Sequence, residues 1–210
     1  MSRQKRTINK KWKLFFYILL TINIIVFLTV TLLIFWPVSE TEEPTVVDHS
    51  EEEGSEFVVR TTKENLNELV NAYMDKFLHD TKHQYSISLE DDVHLQGELP
   101  AFSSTVPLSV HLEPIVQDNG DVILKQKSIS IGLLELPNKK IMEYIKKYLP
   151  MPEWVTVNPE KEEIYVAVTQ MDIKSNFKVG IERIDLEANN LAFKIKVPYK
   201  TLGIDPPSDY

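Results

Sequence analysis

Residues 106–133 read VPLSVHLEPIVQDNGDVILKQKSISIGL, and two apolar alternations flank one turn signal. Val106, Leu108, Val110 and Leu112 recur at every second position, the period that puts side chains on one face of a strand. Val122-Ile123-Leu124 opens a return run that continues through Ile129, Ile131 and Leu133. Between the two stands Asp118-Asn119-Gly120-Asp121, in which Asn-Gly readily takes positive φ and closes a tight hairpin. Strands joined in this way are antiparallel neighbours with one apolar and one polar face.

The same alternation continues upstream in Tyr85, Ile87 and Leu89 and again in Val93, Leu95 and Leu99. Before it the period lengthens. Thr61-Thr62-Lys63-Glu64 fits a capping box, with the Thr61 hydroxyl and the Glu64 carboxylate satisfying reciprocal backbone donors. Leu66, Leu69, Val70, Tyr73, Met74, Phe77 and Leu78 then form one unbroken helical stripe. Downstream, Leu136-Pro137 ends the meander and leads into a second helix. Ile141, Tyr144, Ile145, Tyr148 and Leu149 line one side of it, and Pro150 and Pro152 stop it. Trp154-Val155 leads to Val157, and strand patterns follow at 164–168, 177–186 and 191–197, with the last turn at Asn189-Asn190 and an end at Pro198. Helix, strands, helix, strands predicts an α+β domain over 60–210, a curved antiparallel sheet packed on two amphipathic helices.

The N-terminal part is of another kind. From Leu14 to Trp36 run 23 residues without a charge. A helix of that length spans roughly 34 Å, enough to cross a hydrocarbon core of about 30 Å. Residues 1–13 carry Arg3, Lys5, Arg6, Lys10, Lys11 and Lys13 and no acid. That asymmetry predicts a cytoplasmic basic tail, a transmembrane helix at 14–36 and everything later outside the cell membrane. The apolar run is too long for a signal peptide, and Leu32-Leu33-Ile34-Phe35-Trp36-Pro37 offers bulky side chains where a peptidase needs small ones. With no cysteine in the chain, a lipid-modified anchor is excluded. Trp12, Tyr17 and Trp36 suit interfacial positions. Residues 37–59, rich in carboxylates, read as an acidic, self-repelling, disordered stalk.

The whole chain carries a net charge of −8, and removing the six N-terminal cations leaves the exterior part at −14. Such a surface repels nucleic acid and anionic head groups, so nucleic acid is excluded as a partner. An exported chain with no cysteine has no disulfide framework and must rest on its core.

The segment Ile129-Ser130-Ile131-Gly132-Leu133-Leu134-Glu135-Leu136-Pro137, then Tyr144-Ile145-Lys146-Lys147, then Leu149-Pro150-Met151-Pro152-Glu153-Trp154-Val155 resembles the YpmS family of Gram-positive bacteria. The short basic tail, single anchor, N-terminal helix, Gly97 strand and Asn119-Gly120 turn agree with it. The resemblance implies location and fold, and it hands over no catalytic residue. At the level of architecture alone, a curved sheet on helices is also similar to tubular lipid-binding domains.

Signals for chemistry are sparse. His79 and His83 stand four apart at a helix end, without the intervening Glu or third ligand of a metal site. His94 and His111 fall in the polar phase of their strands, and none of the five histidines has a recognisable serine partner. No nucleophile elbow, phosphate loop or paired-carboxylate signature occurs. The expectation is therefore no enzyme, no metal and no cofactor. One stretch invites interaction: Leu149, Met151, Trp154 and Val155 stand among three prolines beside Lys146 and Lys147. As core, Trp154 seats the helix on the sheet. As a binding ledge, the six residues rim a groove at a wet–apolar junction. The leading expectation is a membrane-anchored, non-enzymatic module binding a lipid or lipid-linked envelope precursor. The alternative is a scaffold for other envelope proteins.

Overall fold

The computed structural model describes residues 10–34, 53–79, 85–101, 104–132, 137–171, 173 and 176–203. The chain divides into two compact units, Met1–Pro37 and Val38–Tyr210.

Among its described residues the first unit is one helix, α1 (Lys10–Ile34). Its Trp12–Leu32 stretch has a mean hydropathy of 2.4, none of it buried, and is long and apolar enough to cross a membrane. Its polar side chains turn inward on its own backbone. Thr21, Asn23, Thr29 and Thr31 each donate to the carbonyl four residues earlier, at 2.8–3.0 Å. That is how a helix in hydrocarbon keeps hydroxyl and amide groups satisfied.

The second unit is α+β and sheet-rich. Its elements run β1 (Gly54–Thr61), α2 (Lys63–Leu78), β2 (Tyr85–Leu89), β3 (Val93–Ala101), β4 (Ser104–Val116), β5 (Val122–Ile131), α3 (Asn138–Tyr148), β6 (Val155–Asn158), β7 (Glu163–Val166), β8 (Lys178–Asp185), β9 (Asn190–Pro198) and α4 (Tyr199–Leu202). A 3₁₀ turn, Val168–Gln170, follows β7. The strands make two sheets and not the single one expected: a six-stranded sheet in the order β2-β3-β4-β5-β7-β6, and a three-stranded one in the order β1-β9-β8. Every pairing is antiparallel.

Several boundaries move. The stalk read over 37–59 ends sooner, because residues 54–59 are strand β1 on β9, with Gly54 opposite Pro198. The rest of that stretch, except Glu53, lies outside the described residues, as do Leu133, His49 and His83. Thr61 is the last residue of β1, and the cap of α2 is Thr62, whose hydroxyl accepts from the Asn65 N–H at 3.4 Å. A second cap comes from far along the chain, since the Asn189 side chain accepts from the Lys63 N–H at 2.7 Å. The Glu64 carboxyl is held below its ordinary range by its backbone hydrogen bond and by Thr62 and Asn189.

The core lies between these layers. Leu108, Val110 and Leu112 of β4 bury with Ile141, Met142 and Ile145 of α3 and with Leu186 and Leu191, so the two sheets share one apolar cluster. Leu66, Met74, Phe77 and Leu78 of α2 join it. A smaller cluster of Val122, Val168 and Ile181 closes the other end. Along β2, Asn71 of α2 stands in for a neighbouring strand. Its amide donates to the Ile87 carbonyl at 2.7 Å and accepts from the Ile87 N–H at 3.0 Å, which closes that sheet edge.

The expected hairpin turn joins the sheets. Gly120 has a φ of +89°, and its carbonyl accepts from the Ile181 N–H of β8 at 2.7 Å. Next to it, the fully buried Asp121 accepts from the Thr169 N–H at 2.9 Å, the Thr169 hydroxyl at 2.8 Å, the Tyr165 hydroxyl at 2.5 Å and the Asn119 amide at 2.8 Å. A Cβ on Gly120 would come within 3.2 Å of the Gly180 Cα, whereas one on Gly180 meets ordinary contacts from 3.5 Å outward. Gly120→Ala is therefore expected to destabilise the second unit by about 1–2 kcal/mol through its left-handed backbone. Gly180→Ala should change stability by less than about 0.5 kcal/mol. Urea unfolding of the two variants beside the unaltered chain separates them.

Candidate functional site

All six residues singled out in the sequence meet at the junction of α3 and β6, in two different roles. Leu149 is buried, and its N–H ends α3 by donating to the Ile145 carbonyl at 3.0 Å. Met151 and Val155 are half-buried and pack on the core. Trp154 is half-buried, with its ring tilted against Tyr73 of α2 at 5.6 Å between centroids and its carbonyl accepting from the Ala167 N–H at 2.8 Å. Lys146 and Lys147 are exposed. The Lys147 ammonium sits 5.1 Å above the ring of Tyr148, a cation–π distance. Tyr148 is 52% exposed and lies on Tyr144, 4.5 Å between centroids. The α3–β6 stretch is thus a shelf: apolar side chains seat it, and Tyr148 with the Lys147 ammonium faces outward.

The strands also assemble a polar cluster that sequence spacing concealed. The registers β3–β4 and β4–β5 set His94 opposite His111 and His111 opposite Ser128. The two imidazoles stack at 3.9 Å. His94 Nε2 lies 2.7 Å from the Ser109 hydroxyl, so a serine partner exists after all, fifteen residues away and on the next strand. His111 Nδ1 lies 3.0 Å from Asp92, whose other oxygen is 3.4 Å from the Lys127 ammonium.

The tautomers decide what this cluster can do. The Gln96 amide nitrogen lies 3.0 Å from His94 Nδ1 and 3.4 Å from its Nε2. Donating to the nearer Nδ1, it fixes the tautomer of neutral His94 that carries its proton on Nε2 and donates to Ser109. A base must present a lone pair to the hydroxyl, and in that tautomer His94 presents Ser109 a donor instead. Asp92 orients the other imidazole and does not complete a triad. Partial burial pushes its carboxyl up, but the hydrogen bonds from His111 and Lys127, with their charges, outweigh that and hold it below its ordinary 3.8.

A cleft of about 380 Å³ opens elsewhere, lined by Asp91, Pro114, Arg183, Ile184, Asp185, Leu186 and Glu187. Its charged rim contains none of the helix-stripe residues. Among the described residues no group of three or more His, Cys, Asp or Glu side chains is placed to hold a metal ion.

Residues 10–197 match the family described as "Uncharacterized protein conserved in bacteria (DUF2140)". The chain belongs to the DUF2140 family. It is 34% identical over 188 residues to the "Uncharacterized protein YpmS" of Bacillus subtilis (strain 168), covering 90% of this chain and 98% of that relative. No solved structure matches it. The resemblance carried by 129–137 and 144–155 is thus family membership, and neither DUF2140 description names a reaction.

For this DUF2140 member the Asp92 cluster has a pH signature. A depressed carboxyl contributes its stability in full above 3.8 and loses it as pH falls through the lowered value. Asp92→Asn should abolish that part of the acid limb. The unfolding midpoint of the unaltered chain should therefore fall more steeply below about pH 4 than that of the variant. Urea midpoints between pH 3 and 7 check it, and parallel curves throughout would remove the ion pair from the account.

Proposed function

We propose that this protein is a single-pass protein of the cell membrane, N-terminus inside, whose exterior α+β domain is a non-enzymatic interaction module receiving another cell-envelope protein on the α3–β6 shelf. The observation that carries this reading is the shelf itself. A half-buried Trp154 braced by Tyr73 and an exposed Tyr148 under Lys147 form the kind of rigid aromatic and cationic surface on which protein partners concentrate binding energy. The sorted charges about 14–36 support the orientation. Leu66, Met74, Phe77 and Leu78 of α2 and Ile141, Ile145 and Leu149 of α3 are spent on the common core, which favours a protein partner over a lipid, because those side chains do not line a groove. Leu69 and Tyr148 remain as exposed apolar points.

The test uses the full chain in its own membrane. A photo-cross-linking residue at Tyr148 should join this protein to another envelope protein. Lys147→Glu should lower that yield about tenfold while changing domain stability by less than about 0.5 kcal/mol. If Tyr148 gives no protein adduct, and native mass spectrometry of the purified full chain finds bound lipid, the lipid-binding alternative replaces the scaffold reading.

A further inference from the structure

The free edge of β1 is built to pair with itself. Among the described residues β1 pairs with β9 alone, and its hydrogen-bonding phase can be read. The Tyr199 N–H donates to the Glu53 carbonyl at 3.2 Å, so Glu53 and Tyr199 form a hydrogen-bonded pair continuing the register of Gly54 with Pro198. In an antiparallel ladder such pairs alternate, so Ser55, Phe57, Val59 and Thr61 turn their main-chain groups to β9. Gly54, Glu56, Val58 and Arg60 point theirs outward. Native edges are usually blunted by proline, lysine, a bulge or a cover. β2 has such a cover in Asn71. β1 has no proline or lysine, its register with β9 is unbroken, and Phe57, Val58 and Val59 are 54%, 50% and 44% exposed.

We infer that the occupant of this edge is a second copy of the chain, with β1 pairing antiparallel to β1 of its partner about a two-fold axis at Val58. Around that centre the strand is self-complementary. Glu56 falls opposite Arg60 of the other copy, Phe57 opposite Val59, and Ser55 opposite Thr61. Both charged pairs are therefore opposite in sign, and the contact is isologous and closed. Parallel pairing in register would oppose Glu56 to Glu56 and Arg60 to Arg60, which is repulsive. Among the described residues Glu56 makes one long, solvent-exposed ion pair, with Lys194 at 3.8 Å, which a nearer guanidinium can replace, and Arg60 makes none. The outward phase matches as well, because Val58, Glu56 and Arg60 carry the free N–H and C=O groups and the pairing supplies about six main-chain hydrogen bonds. The two three-stranded sheets become one sheet of six. This surface is distinct from the α3–β6 shelf and stands or falls without it.

The chain has no cysteine, so single-cysteine variants of the full chain in nanodiscs report cleanly. Val58→Cys places two sulfurs on the axis, at a hydrogen-bonded pair with Cα atoms about 5.5 Å apart, within disulfide reach. Thr61→Cys places them roughly 20 Å apart. Mild oxidation should cross-link Val58→Cys at least about tenfold more than Thr61→Cys. Glu56→Arg on the Val58→Cys background should lower the yield about tenfold by opposing two cations, and Glu56→Arg with Arg60→Glu should restore it. Mass photometry of the cysteine-free chain, alone and with the same charge changes, reads the dimer without any thiol. Equal cross-linking at both positions, failure of the double charge exchange to restore pairing, or a monomer at every concentration overturns the proposal. So does a Val58→Cys adduct formed with a different protein.

Discussion

A buried carboxylate organises the second unit. Asp121 is 1% exposed, and a charge taken out of water is tolerated only when its acceptor sites are filled. Here the donors come from elements far apart in the chain: Asn119 within the turn, Tyr165 of β7, and both the backbone and the hydroxyl of Thr169 in the 3₁₀ turn. Burial and the hydrogen bond to Asp121 also push the Tyr165 phenol above its ordinary 10. One residue away, the Gly120 carbonyl takes the Ile181 N–H of β8. The four-residue turn 118–121 is thus the joint at which the β4–β5 hairpin, the end of β7 and the second sheet meet.

With that joint in place, the rest of the layout follows. The second sheet lies close enough for Leu186 and Leu191 to enter the cluster built by β4 and α3. The Asn189 side chain at the far end of β8 caps α2, so the helix packed on the six-stranded sheet starts from the three-stranded one. The α3–β6 shelf hangs on the same frame, because the Trp154 carbonyl holds Ala167 immediately before the 3₁₀ turn that supplies Thr169.

Local pattern made most of the elements legible. Alternation marked β2 to β5, the Asn-Gly step marked the joint, and the helical stripes marked α2 and α3. What period two does not encode is partnership. The pairing of β1 with β9 closes Gly54 on Pro198, and nothing in either segment names the other. β1 was also disguised: Glu51, Glu52, Glu53 and Glu56 make it look like the end of an acidic stalk, whereas three successive apolar residues at 57–59 are the trace of an edge strand. The shift of the cap from Thr61 to Thr62 has the same origin, since β1 claims Thr61. The six residues of the α3–β6 junction stood out in the sequence because proline, tryptophan and lysine crowd one stretch. The cluster of Asp92, His94, Ser109 and His111 went unseen because only strand register brings its members together.

Amide hydrogen exchange on the full chain tests the joint most directly. If the 118–121 turn holds the two sheets together, the Thr169 and Ile181 amides, bonded to Asp121 and Gly120, will exchange only with the slow amides of β4, through unfolding of the whole domain. Exchange of those two amides orders of magnitude faster, with β4 still protected, would mean that the sheets part locally and that the buried carboxylate is not what joins them.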